Sequence, residues 1–241
     1  MATHIARVDS LGRAYAGSQL QIQVYVNRRP EELCQAVLKG VPPLASLGVC
    51  PLWVSPLENL RFVEYQDRKF LDVLRMGHLS GRLSGFWPRR GPVWDALAAI
   101  GIPKSDQSVP GVLLVEAKSH PAEVYGPGCK ASPKSRRMIE AALNETRQWL
   151  SVRQDWTWPF WTGPLYQSAN RLAHLYFFNE IARVPAWLIN VYFLNDPHSP
   201  TTLMEWKVAL DCVKMQLGLG TDAAQHTAEV FLEAKLRDEL V

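Results

Sequence analysis

At 241 residues the chain has room for one large domain or two small ones. A composition of 47% hydrophobic and 20% charged residues, with 15 Gly and 17 Pro, excludes a disordered, collagen-like or low-complexity protein. The 26 Lys and Arg outnumber the 23 Asp and Glu, for a formal net charge of +3. That balance is too mild for a histone-like coat on DNA and leaves room for a local basic groove.

The four cysteines stand at 34, 50, 129 and 212, with no Cys-x-x-Cys spacing. Neither a zinc ribbon nor a disulfide framework is expected, and they read as reduced, mostly buried residues. The opening residues, Met1-Ala2-Thr3-His4-Ile5-Ala6-Arg7-Val8-Asp9, lack the apolar core of a signal peptide. No apolar run approaches the roughly 20 residues that span a bilayer. The expectation is a cytoplasmic protein with no membrane contact.

Along the chain, Leu20-Gln21-Ile22-Gln23-Val24-Tyr25-Val26 alternates apolar and polar side chains and predicts a half-buried strand. Pro30-Glu31-Glu32 opens a short helix that Gly40 closes. A Pro-punctuated stretch, 41–56, holds a short apolar run at Leu52-Trp53-Val54, and 58–76 predicts a helix. Residues 93–100 are an apolar run broken by one acid, and 101–110 are rich in turn residues. Then 111–118 predicts an apolar strand ending in two opposite charges. Ser132 and Pro133 suit the N-cap and first position of a helix with Ile139, Ala142, Leu143, Thr146, Trp149 and Leu150 at helical spacing. A further helix is expected over about 164–182, then a strand buried on both faces at 186–194. Two last helices are expected over about 203–217 and 222–239. No repeat or Ser- or Gly-rich linker divides the chain. This pattern predicts one α/β domain over 1–241 around a mixed sheet, its core at about 58–195 and its C-terminal helices within 203–240.

The chemistry-bearing constellation is Asp95 with Glu116 and Lys118. Glu-x-Lys alone is uninformative, because Glu205-Trp206-Lys207 and Glu233-Ala234-Lys235 repeat it and Asp67-Arg68-Lys69 gives the Asp form. Those three fall in helical patterns, where i and i+2 point apart. In a strand, by contrast, Glu116 and Lys118 share a face. If 93–100 and 111–118 form a hairpin with Ile100 opposite Gly111, Asp95 lies opposite Glu116, at about 5 Å between Cβ atoms. Two carboxylates that close favour a cation between them. Oxygen ligands favour Mg²⁺ or Mn²⁺, and a lysine on the same face suits phosphodiester hydrolysis. The alternative is a cross-strand acid pair neutralised by Lys118 in a salt bridge.

An acid near one strand start, a hydrophobic strand ending Glu-x-Lys and a following helix together resemble the PD-(D/E)XK phosphodiesterase superfamily. The resemblance spans Pro92 to about Leu150 and extends less specifically through 164–194. It differs at one point: Val93 and Trp94 separate Asp95 from Pro92, the nearest proline. The resemblance implies a restriction endonuclease-like α/β fold, with a mixed central sheet flanked by helices. It also implies a metal-dependent nuclease acting on nucleic acid, with DNA favoured over RNA. Asp95 and Glu116 would hold Mg²⁺ or Mn²⁺, with the Ala117 carbonyl as a further candidate ligand, and Lys118 would be the catalytic base or electrostatic aid. Nucleases of this kind that cut two strands as dimers make a homodimer an analogy-based expectation. Members without catalysis keep a second reading open: an inactive nucleic-acid- or partner-binding module on the same fold.

Glu123, five residues past Lys118, is a candidate second metal ligand or orienting acid, or else a solvated loop acid. Gln167, Asn170, Arg171 and His174 form a polar stripe at i, i+3, i+4 and i+7. Some nucleases of the superfamily carry a Gln on the equivalent helix, so Gln167 is a site candidate, while the rest of the stripe is expected to face solvent. Arg89, Arg90, Lys130, Lys134, Arg136 and Arg137 are candidate nucleic-acid contacts, the last four near a helix N-terminus. Trp156, Trp158 and Trp161 suit either base stacking or core packing. No P-loop, Gly-x-Gly-x-x-Gly, Gly-x-Ser-x-Gly or His-Glu-x-x-His pattern occurs, so NTPase, dinucleotide, serine-hydrolase and zincin readings have no support.

Overall fold

A computed structural model describes residues 7–104 and 107–241. Among these residues, five strands lie side by side in chain order: β1 (Leu52–Ser55), β2 (Ala96–Lys104), β3 (Gln107–Lys118), β4 (Ala186–Leu194) and β5 (Thr227–Glu233). β1, β2 and β3 pair antiparallel, whereas β4 joins β3 and β5 joins β4 in parallel. Helices supply the crossovers that the parallel pairs require. The fold is therefore α/β around a mixed sheet.

Alternation along β3 assigns the two faces. Leu113, Val115 and Ala117 meet Ile22, Tyr25, Leu33 and Val37 of α1 (Gly17–Arg28) and α2 (Pro30–Gly40), with α3 (Pro42–Leu47) beside them. Val112 and Leu114 point the other way, toward α4 (Asp67–Val73), α5 (Ser80–Phe86), α6 (Pro133–Trp149), α7 (Trp158–Thr162), α8 (Tyr166–Tyr176) and α9 (Leu203–Leu217). A last short helix, α10 (Thr221–Ala224), leads into β5. Glu116 and Lys118 continue the second face. Beyond α8 the chain turns on in a π-helical segment, Phe177–Ala182, whose Asn179 bonds both backbone groups of Ala186 and so fixes the start of β4.

Several expectations are corrected. The alternating segment 20–26 is the buried middle of α1, not a strand. Its polar members are Gln21, which pairs with the backbone of Lys235, and Gln23, which pairs with Gly12 and Ala14. A buried helix with polar side chains aimed at neighbouring backbone thus imitates period two. The helix expected at 58–76 is broken by Arg61, Phe62 and Asp67 at positive φ, values no right-handed helix continues through. Only the turn Glu58–Leu60 and α4 are helical there. The turn-rich 101–110 mostly extends the hairpin, which pairs out to Lys104 and Gln107. The C-terminal helices expected within 203–240 are α9 and the four-residue α10, followed by β5 in the sheet. Ala228, Val230 and Leu232 of β5 alternate into the core against α2. Gly40 permits that approach: a Cβ there would lie 3.3 Å from both Ala228 and Val230.

The cysteine reading is corrected as well. Cys34 of α2 and Cys50, just before β1, are disulfide-bonded with Cα atoms 5.9 Å apart. Cys129 and Cys212 are free. The cysteines therefore no longer argue for a reducing compartment. Among the described residues, no helix is long and apolar enough to cross a membrane.

Candidate active site

The hairpin adopts the expected register. Ile100 pairs with Gly111 and Ala96 with Val115, so Asp95 falls beside Glu116, one residue before β2 begins. Asp95 Oδ2 accepts a 2.7 Å hydrogen bond from the Ala117 N–H. No other hydrogen bond reaches this carboxylate from the described residues.

Glu116 lies two residues before the end of β3 and is only 6% exposed. Its Oε1 accepts from Lys118 Nζ at 2.5 Å and from Gln167 Nε2 at 2.8 Å, and its Oε2 accepts from Arg171 Nε at 2.6 Å. Gln167 and Arg171 are four residues apart on α8, hence on one helix face. That face packs over the end of β3. Arg171 also donates to Asn170 Oδ1 and to the Val93 carbonyl, and its guanidinium lies 5.0 Å from the Trp94 ring centroid. It thereby clamps the segment leading into Asp95.

This overturns the solvent-facing reading of the α8 polar stripe. Asn170, Arg171 and His174 are all buried. Gln167 reaches Glu116, and so does Arg171, which was expected to face solvent. Its signal was present in the sequence, as the i+4 neighbour of Gln167 on the same polar face.

Burial opposes ionisation at both central carboxylates, and their surroundings then separate them. For Asp95, burial and the neighbouring Glu116 charge raise the pKa well above the carboxylate range, outweighing Lys118. For Glu116, burial also pushes up, but Arg171 and then Lys118 outweigh it and the net shift is downward. Lys118 loses some basicity to burial and regains more from Glu116 and Asp95, so its pKa is raised.

A second missed residue, the acid Glu64, belongs to this field. The backbone bridge between Tyr65 and Trp94 holds the Glu64 loop beside the Asp95 segment. Burial raises the Glu64 pKa, a hydrogen bond from Gln19 Nε2 opposes this, and the Glu116 charge adds to the rise. No spacing rule links position 64 to 95, so only tertiary structure reveals it.

Glu123 is not a free loop acid. Its carboxylate accepts from Ser18 Oγ at 3.0 Å and from the Ser119 N–H at 3.3 Å, tying α1 to the chain just past Lys118. Of the six basic candidates, Arg89 and Lys134 line one cavity. Arg136 is paired with Glu140, and Arg90, Lys130 and Arg137 are exposed outside that cavity. Trp161 is core, its indole N–H bonded to the Leu217 carbonyl, whereas Trp156 is exposed.

Among the described residues, no group of three or more His, Cys, Asp and Glu side chains is arranged to hold a metal ion. The donors present are the Asp95 carboxylate, the Glu116 carboxylate and the Ala117 carbonyl. All are hard oxygen, and Mg²⁺ commonly takes one or two carboxylates and completes its shell with water and substrate phosphate. The donor set therefore fits such an ion in kind, although Glu116 already has three partners. Comparison with family models, curated proteins and solved structures found no match to this chain.

Proposed function

We propose that the protein is a divalent-metal-dependent nuclease on a restriction endonuclease-like fold, with DNA as the favoured substrate. The observation that carries the reading is the meeting of Asp95, Glu116 and Lys118 at one end of β3, in the hairpin register the chemistry requires. The mixed sheet flanked by helices supports it. So does the placement of Gln167, and with it Arg171, against Glu116.

Asp95 and Glu116 would hold Mg²⁺ or Mn²⁺. When bound, the ion would supply Lewis-acid polarisation of the scissile phosphate and a more acidic water. Lys118, sharing a face with Glu116, would orient the attacking water and offset charge building on phosphorus. Arg171 acts indirectly: it holds Glu116 and, through the Val93 carbonyl, the approach to Asp95. Gln167 is a second support for the Glu116 carboxylate.

One observation favours a second reading, an inactive nucleic-acid- or partner-binding module. Both Glu116 oxygens are already engaged by side chains, a self-satisfied ion network that needs no metal. Cleavage separates the two. Plasmid, linear single-stranded DNA and RNA are incubated with Mg²⁺, Mn²⁺ or EDTA, beside Asp95→Asn and Lys118→Ala proteins. The nuclease reading expects metal-dependent cleavage, reduced at least 100-fold in each variant. Intact substrate in every lane, with no metal-induced rise in melting temperature, would leave the second reading.

A further inference from the structure

A cavity of about 650 Å³ opens between α4, α5, the first two turns of α6 and α8, and none of its lining residues belongs to the Asp95 cluster. Its walls divide by chemistry. Arg89 and Lys134 are exposed cations with no carboxylate partner among the described residues, unlike Arg68 beside them, which pairs with Asp72. Lys134 also sits in the first turn of the 17-residue α6, where the helix dipole favours an anion and no acid stands. The lining carboxylate, Asp67, accepts the backbone N–H groups of Arg90 and Gly91 at 3.0 and 2.8 Å, and so shapes the turn that presents Arg89.

The opposite wall is apolar, built from Leu83, Trp87 and Met138. At its floor lies His174, 1% exposed. Its Nδ1 is bonded to the Asn170 carbonyl at 2.8 Å, so that nitrogen carries the proton and Nε2 is left as an acceptor. Nε2 has no hydrogen-bond partner among the described residues. Burial pulls the His174 pKa down to about 4, so the ring is neutral near pH 7. A Cβ built on Gly91 would come within 3.3 Å of Nε2 and 3.5 Å of Trp87, so this nitrogen borders the space between two lining residues of the cavity. With two unpaired cations on the rim, the cavity suits a ligand carrying an N–H donor at one end and an anion at the other.

We propose that this cavity binds one nucleotide of a nucleic-acid strand, its phosphate held by Arg89 and Lys134 and its base among Trp87, Leu83 and His174. Every base carries an N–H donor and a flat apolar face, and the volume suits a ligand of that size. The choice of a nucleotide over another phosphorylated molecule rests on the phosphodiesterase reading of the neighbouring site. His174 lies one helical turn beyond Arg171 on α8, so a strand seated here runs toward the Asp95 cluster.

Calorimetric titration in EDTA tests this without any metal, using dAMP, deoxyadenosine and inorganic phosphate as probes. The expected result is that dAMP binds at least tenfold more tightly than either fragment. Arg89→Ala and Lys134→Ala should each weaken dAMP about tenfold. Both residues are exposed, and unchanged melting temperatures confirm that the variants fold. Absence of dAMP binding overturns the proposal, as does dAMP binding equal in wild type and both variants, or phosphate binding as tight as dAMP. A wild-type protein that cleaves DNA but does not bind dAMP keeps the nuclease reading and loses the pocket. One that binds dAMP through Arg89 and Lys134 without cleaving keeps the pocket and loses the nuclease.

Discussion

Arg171 shows how one buried side chain can serve the stability and the geometry of a site together. Its side chain is 5% exposed, and its guanidinium pairs with Glu116 and also bonds Asn170 and the Val93 carbonyl. Removing Arg171 leaves buried Glu116 with Lys118 as its remaining cation, and breaking a buried pair costs about 3–5 kcal/mol. Arg171→Ala should therefore lower unfolding free energy by about 3 kcal/mol in urea titration. Arg171→Lys should recover little of it, because an ammonium cannot reproduce the planar fork. His174 makes the pH prediction. It sits among Phe70, Trp87 and Trp94, with Arg171 and Asp67 as the charges acting on it. Its folded pKa, about 4, lies below the 6.5 of an unperturbed histidine. Between those values the unfolded chain binds a proton that the folded one refuses, so stability falls as pH drops through that window. His174→Phe should flatten the slope between pH 6 and pH 4.5 by up to about 1.4 kcal/mol per pH unit. Parallel stability curves for the two proteins over that range would contradict it.

At the scale of elements, α1 demonstrates that alternation and burial are separate signals. Leu20 to Val26 are all buried, glutamines included, because Gln21 and Gln23 supply the hydrogen bonds that neighbouring backbone lacks. Gln23→Leu keeps the bulk and the helix but strands the Ala14 N–H and the Gly12 carbonyl. Unpaired buried groups cost about 1–3 kcal/mol, so a loss of about 2 kcal/mol is expected in thermal or urea unfolding. The register of the hairpin β2–β3 was legible because it follows from one pairing, Ile100 with Gly111, repeated along both strands, whereas its extension to Lys104 and Gln107 was hidden by turn-forming residues. β5 was not: its alternation at Ala228, Val230 and Leu232 is short and flanked by helix-forming residues. Its parallel partner, β4, lies more than thirty residues earlier, and such a pairing leaves no local mark in the chain.

For the whole molecule, the Cys34–Cys50 bridge ties the layer containing α2 to the approach to β1, across 16 residues of chain. Closing a loop of that size restricts the unfolded chain and contributes about 3 kcal/mol. Treatment with a reductant, or the Cys34→Ser/Cys50→Ser double variant, should lower the melting temperature by several degrees. An unchanged melting temperature would mean that the bridge adds nothing to the fold.

The local chemistry of the site was written in the chain: an apolar strand ending Glu116-Ala117-Lys118, an acid at the matching hairpin position, and a polar helix stripe beginning at Gln167. These features lie within short spans, where strand and helix periodicity directly set which side chains share a face. Tertiary structure alone decided what completes them. Arg171 rather than solvent meets Glu116 because α8 packs its polar stripe onto the end of β3. Glu64 enters the field of Asp95 because a backbone bridge brings a distant loop alongside. Arg89, Lys134 and His174 share one cavity although 85 residues separate the first from the last. Such meetings depend on how layers stack and where loops cross, and short-range spacing in a sequence does not record either.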